Sequence, residues 1–208
     1  MIKIEKPTVY GFEEAIRGMR NSWESWDESD TTSEIVAGCA NVGPNDLKLM
    51  EKLARSGPSH AKFRRMIVAY MHITAPLYWW KEFDTYKVGT VANSCSTMHK
   101  IQAKPFTLED FSHERCTLAG RWSLCRTCID LNHARNGYLE TGNQDYWDTM
   151  IQILPSSYNQ KRTVMLNYEV LSNIYNDRLK HKLSEWREFC RFCSENLPYS
   201  TVFEYRRV

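Results

Sequence analysis

The chain has 208 residues, enough for one large domain or two small ones with a real buried core. A hydrophobic content of 42%, a charged content of 25% and a net charge of +2 are ordinary for a globular protein and exclude the bulk basic field that draws nucleic acid. No apolar run nears the roughly 20 residues of a membrane span, and Met1-Ile-Lys-Ile-Glu5 lacks a signal-peptide core, so we expect a cytoplasmic protein with neither a membrane nor a nucleic-acid partner.

Ile2 and Ile4 alternate with Lys3 and Glu5, which predicts a short strand. Residues 12–26 read as a helix with Phe12, Ile16, Met19 and Trp23 on one face. Residues 27–32 are a polar break, and 33–39 read as a short helical piece. Gly43-Pro44-Asn45-Asp46 is a turn, from which Asn45 or Asp46 can cap a helix over 47–55. Gly57-Pro58 ends that helix. Residues 63–73 are rich in Ile, Val, Tyr and Met and predict a buried strand. Pro76 suits the first position of a helix over 77–86.

Lys104-Pro105 breaks the chain, and Thr107-Leu-Glu-Asp110 has the form of a capping box. Long helices are expected over 118–138 and 145–154, the second stopped at Pro155. Residues 161–176 mix strand and helix signals, with a helix running on to Arg178. Residues 184–196 are strongly helical, Leu197-Pro198 closes them, and 202–205 read as a terminal strand or tail. Long helices with few strands predict a single α+β domain over residues 1–208.

Two cysteine pairs have C-x-x-C spacing, Cys125/Cys128 and Cys190/Cys193. Four thiolates can hold zinc, with His113 or His133 as substitutes. Both pairs sit inside helical patterns, however, where residues three apart merely share a face, so no metal is expected. The seven cysteines, an odd count, are expected to be reduced thiols.

Residues 76–100 carry the most information. An aromatic helix gives way to a run of small hydroxyl and thiol residues, in which Lys87, Thr90, Asn93, Ser94, Ser96 and His99 could all reach one anion. Backbone N–H groups, hydroxyls and a cation together satisfy phosphate oxygens. The alternative is a solvated helix end and loop.

The order of these features resembles the flavin-dependent thymidylate synthases, the ThyX family. Members have Arg-His-Arg, then seven residues, then Ser-x-Arg-Tyr; here Thr85-Tyr86-Lys87 falls on the triplet, Thr90 on an internal Ser, Cys95 on the Ser and Thr97-Met98 on Arg-Tyr. Downstream, Leu154-Pro155 is followed 13 residues after the Leu by Asn167, and 11 residues later by Arg178. Glu185-Trp186 lies one insertion from the family's Gln-Trp, and Asn196-Leu-Pro198-Tyr stands near its Cys-Pro-Trp ending. The resemblance covers most of residues 45–205.

The resemblance implies a ThyX-like α+β fold, a mixed β-sheet with long helices packed on it, in a homotetramer. It implies FAD as cofactor, with NADPH and methylenetetrahydrofolate as co-substrates for methylating dUMP or a related pyrimidine nucleotide. Arg178 would contact and polarise the base as the catalytic residue. Glu82, Lys87, Thr90, Cys95, Ser96 and Arg178 would bind nucleotide; Ser59, Thr85, Tyr86, Lys87 and Asn167 would bind FAD. The chain departs from the pattern where cations grip phosphate. Of the triplet only Lys87 is cationic, and Lys does not reproduce bidentate Arg contacts. Thr97 and Ile151 occupy two other arginine positions, with His99 or Lys100 as the nearest substitutes. The alternative reading is a catalytically degenerate ThyX-fold protein that binds or sequesters a nucleotide.

Overall fold

The computed structural model describes residues 2–36 and 39–204. Strand β1 (Lys3–Tyr10) leads into helix α1 (Phe12–Arg20), whose Glu13 and Glu14 open it and whose Arg17 and Arg20 close it, each sign matching the helix dipole. Phe12 and Ile16 are buried as expected, but the helix ends before Trp23, which lies in a 3-10 turn with 87% of its surface exposed. Residues 33–39 were expected to be helical; instead β2 (Thr32–Val36) and β3 (Cys39–Asn41) pair antiparallel, with Thr32 opposite Asn41. The β-branched Thr32, Ile35 and Val36 favour the extended backbone.

Helix α2 (Pro44–Arg55) starts earlier than expected, with Pro44 in its first turn. Neither Asn45 nor Asp46 caps it. The Asp30 carboxylate does, accepting from the backbone N–H of Asn45 at 2.9 Å and of Asp46 at 3.1 Å. Residues 63–73 split into a 3-10 turn over Ala61–Arg65 and strand β4 (Val68–Pro76), where Ala69, Met71, Ile73 and Ala75 are buried at period two. Pro76 sits at the N-cap of α3 (Leu77–Phe83) rather than inside it.

The polar run after α3 forms strand β5 (Thr90–Ser94), followed by the short helix α4 (Thr97–Lys100). Asp110 completes the Thr107 capping box, accepting from the Thr107 N–H at 2.9 Å, but around a single 3-10 turn. Helix α5 (Leu118–Thr141) ends on Gly142, and α6 (Gln144–Gln152) starts on Asn143, whose side chain accepts from the Asp145 N–H. The mixed signal at 161–176 resolves into β6 (Asn159–Asn167) running straight into α7 (Tyr168–Arg178). Helix α8 (Ser184–Asn196) matches its expected span, and a 3-10 turn over Ser200–Val202 replaces the terminal strand; residue 205 lies outside the described residues.

Strands β1, β4, β6 and β5 hydrogen-bond in that order as an antiparallel sheet, while β2 and β3 form a second, two-stranded one. The α+β class holds, and the main sheet is antiparallel where a mixed one was expected. Helix α3 and the segment holding α4, α5 and α6 intervene between successive strands of the list without forming a parallel crossover between neighbours. Among the described residues no helix is long and apolar enough to cross a membrane.

The chain divides into two compact units. In the unit holding residues 74–84 and 94–162, Trp79, Trp80 and Phe83 bury their rings against one another at centroid distances of 4.9–5.3 Å. Arg162 lies 4.4 Å over Trp80 and donates to Gln160 and Asp84. Phe106, Phe111, Leu131 and Met150 form a further apolar cluster, with Ile151 packed against it. In the unit holding residues 4–73, 85–93 and 163–208, Phe12, Tyr168 and Phe203 interlock edge to face, and the Tyr168 hydroxyl donates to the Pro198 carbonyl at 2.6 Å. Buried Arg64 in the same unit donates to Val202 O and to Ser172.

Candidate functional site

Arg178 ends α7, in the unit that also holds the connection from α3 to β5. Its Nε donates to the Tyr86 hydroxyl at 2.9 Å, although the two residues are 92 positions apart. The Tyr86 hydroxyl in turn donates to Asp177 Oδ2 at 3.3 Å. The guanidinium carbon lies 4.9 Å from the Trp186 ring centre and 5.6 Å from that of Tyr86, within cation–π range of both. Trp186 is fully buried and meets Tyr86, His181 and Phe189 edge-on. Burial pushes the Tyr86 phenol up; Arg178 pulls it back, and Asp177 adds to the rise. Asp177, Leu179, Lys180 and His181 also line a cavity of ≈ 500 Å³.

Asn167 is the junction between β6 and α7. Its side-chain oxygen accepts from the Val170 N–H at 3.0 Å and so caps α7. Its backbone N–H donates to Gly89 O at 3.2 Å. Gly89 has φ +83, which favours glycine, and a Cβ there would lie 2.4 Å from Asn167 Nδ2, so a larger residue would have to displace the Asn167 side chain. Thr90 follows Gly89 at the start of β5, with its hydroxyl shielded from solvent and without a hydrogen-bond partner. Thr85 and Lys87 are exposed on the connection before β5. Ser59 is exposed on the turn after α2.

Glu82, Cys95 and Ser96 belong to the other unit. Glu82 is half-buried on α3. Cys95 is exposed, its N–H donating to Lys161 O and its carbonyl accepting from Gln160 Nε2 at 3.0 Å. Ser96 caps α4, accepting from the His99 N–H and lying 2.8 Å from His99 Nδ1. The expected convergence of six side chains on one anion does not fit this backbone: in a pleated strand Asn93 and Ser94 face opposite ways. Ile151 fills apolar space, so no cation stands there.

Among the described residues no group of three His, Cys, Asp or Glu side chains could hold a metal. Cys190 and Cys193 are buried on α8; burial lifts the Cys190 thiol to about 12 and the Cys193 thiol well above its ordinary value, so neither offers a thiolate at neutral pH.

Sequence reasoning named Arg178 and Tyr86 but gave no role to Trp186 or Asp177. Trp186 had a signal, since Glu185-Trp186 stands beside the family's Gln-Trp. Asp177 had none.

No protein-family model and no curated protein matches the sequence. Solved structures do match. Two are the flavin-dependent thymidylate synthase ThyX of Helicobacter pylori, both with FAD and dUMP; each has a TM-score of 0.74 at 16% identity, covering 98% of this chain and 97% of that one. A UMP/dUMP methylase, PolB of Streptomyces cacaoi, bound with 5-Br dUMP, has a TM-score of 0.65 at 12% identity over 98% of this chain and 93% of its own. The chain has the ThyX fold. On that fold, the Tyr86–Arg178–Trp186 cluster unites residues from before β5, from the end of α7 and from the start of α8.

Proposed function

We propose that the protein is a FAD-dependent thymidylate synthase-like enzyme of the cytoplasm. It would methylate dUMP or a related pyrimidine nucleotide, with methylenetetrahydrofolate and NADPH as co-substrates, as a homotetramer whose chains are each one ThyX-like domain over residues 1–208. The observation that carries this reading is the meeting of Tyr86 with Arg178. The neighbours of this fold with FAD, dUMP and 5-Br dUMP bound support it.

The residues present fit a planar, polar group. Tyr86 offers a half-buried ring, Arg178 a fixed donor, and Thr90 a shielded hydroxyl with no partner. FAD would be held by Tyr86 and Asn167, with Ser59, Thr85 and Lys87 on exposed backbone. Since the Asn167 oxygen already caps α7, its contribution falls chiefly to the amide nitrogen. FAD, when bound, supplies the hydride taken from NADPH. Arg178 orients the pyrimidine by donating to a ring carbonyl, where a fixed donor is worth more than a mobile one. Lys87 and Thr90, in the same unit as Arg178, would take the phosphate.

A second reading, a catalytically degenerate protein that binds or sequesters a nucleotide, is favoured by one observation. Ile151 is committed to apolar packing where a phosphate-gripping cation would stand. The visible absorbance spectrum of the purified protein, before and after adding FAD, separates the two. A flavin band near stoichiometry, followed by methylation of dUMP, supports the enzyme. Nucleotide binding with no flavin band supports the second reading and removes the first.

A further inference from the structure

We propose that Tyr86, held by Asp177, is a positioning residue that presets the guanidinium of Arg178 before any ligand arrives. The inference rests on the reading of Arg178 as the base-contacting residue and deepens it.

Three contacts carry it. The Tyr86 hydroxyl accepts from Arg178 Nε at 2.9 Å, which fixes one edge of the guanidinium. The same hydroxyl donates to Asp177 Oδ2 at 3.3 Å. A phenol that donates to a carboxylate becomes a better acceptor, so the contact to Asp177 strengthens the bond to Arg178. The third contact is the buried Trp186 ring, 4.9 Å from the guanidinium carbon, which restrains the guanidinium on that side. Trp186 cannot rotate away, because Tyr86, His181 and Phe189 crowd its edges at centroid distances of 6.0, 6.5 and 6.0 Å.

An arginine side chain is long and loses rotamer freedom when a ligand captures it. Here that loss is taken during folding, so a ligand meets a donor already in place. The His of the ThyX triplet is Tyr86 in this chain, which extends the ring by a hydroxyl able to reach both Arg178 and Asp177. Asp177 borders the ≈ 500 Å³ cavity, so the device lies beside open space.

The test uses the full-length protein and three variants. Tyr86→Phe keeps the ring and removes the hydroxyl, Asp177→Asn removes the charge, and Tyr86→His restores an acceptor. In ¹⁵N-labelled protein without ligand, exchange of the Arg178 Nε–H with water should be about tenfold faster in Tyr86→Phe. It should be faster in Asp177→Asn as well, and slower again in Tyr86→His. Near-UV circular dichroism of the tryptophans checks that each variant is folded. Unchanged exchange in Tyr86→Phe overturns the inference. In a binding arm, Tyr86→Phe should weaken dUMP about tenfold and leave 2-deoxyribose 5-phosphate unaffected; equal weakening of both also overturns it. Wild-type protein that binds neither dUMP nor FAD rejects the proposed function, while the exchange arm still decides the positioning role.

Discussion

Arg20 and Asp46 are buried charges that stabilise one another at 2.7 Å. Asp46 has no exposed surface, and its other oxygen accepts from the hydroxyls of Ser29 and Thr31 and the N–H groups of Asp30 and Thr31. Removing one partner of such a pair leaves an uncompensated charge, so Arg20→Ala should cost about 3–5 kcal/mol in urea unfolding at pH 7. Burial pushes the Asp46 carboxyl up, but Ser29, Thr31 and Arg20 outweigh it and hold it below its ordinary 3.8. With a folded pKa below the unfolded one, the group stabilises the protein above pH 3.8, and this contribution is lost as pH falls toward the folded value. Unfolding curves from pH 7 to pH 3 should therefore show a steeper acid loss in the wild type than in Asp46→Asn. At the candidate site, Arg178→Ala should abolish nucleotide binding in calorimetry without unfolding the chain. Lys87, exposed and cationic, should matter for phosphate: Lys87→Ala should weaken dUMP far more than deoxyuridine. Equal loss for both would remove Lys87 from the phosphate site.

Two close approaches decide how elements meet. At the β6–α7 junction, Asn167→Ala removes an N-cap and should cost about 1 kcal/mol. Gly89→Ala should cost about 1–3 kcal/mol, because φ +83 strains any other residue and its Cβ would strike Asn167 Nδ2. The double variant should cost less than the sum, since truncating Asn167 clears the space; strict additivity in thermal unfolding would disprove the contact. In the other unit, a Cβ at Gly137 would fall 2.7 Å from the Tyr146 ring, so α5 and α6 pack where glycine permits. Gly137→Val should lower the melting temperature through overpacking of about 1–3 kcal/mol. Element boundaries were legible where local chemistry marks them, as at the Thr107 box and Leu197-Pro198. They were illegible where partners lie far away in sequence. Strand β5 is an edge strand of small, exposed residues paired with β6, so it carries no burial alternation and reads as a loop. The β2–β3 pair is too short for periodicity to separate strand from helix.

At the scale of the molecule, a chain 16% identical to a solved ThyX shares its fold, as expected when cores tolerate extensive hydrophobic substitution if volume and patterning are kept. Spacing carried the resemblance in the sequence: Leu154-Pro155, Asn167 and Arg178 stand at intervals like the family's, whereas Thr85-Tyr86-Lys87 lies where the resemblance expects Arg-His-Arg. The site was legible only in part. That Arg178 would meet Tyr86 follows from the fold across 92 positions, and Trp186 joins them from the start of the next helix, with only its place after Glu185 to mark it in the sequence. The surface adds a question that only assembly answers. Along α5, Leu118, Trp122 and Ile129 are exposed by 73%, 69% and 64% on one 24-residue helix. Single exposed apolar residues are normal, but a run along one helix is a common mark of association. The homotetramer reading predicts a native mass near four times the 24.5 kDa chain by light scattering. A mass of one chain would remove the tetramer and leave these side chains in water. A mass of four chains would support the architecture and say nothing of the chemistry, because assembly rests on apolar surface whereas catalysis would rest on Arg178, Tyr86 and the flavin.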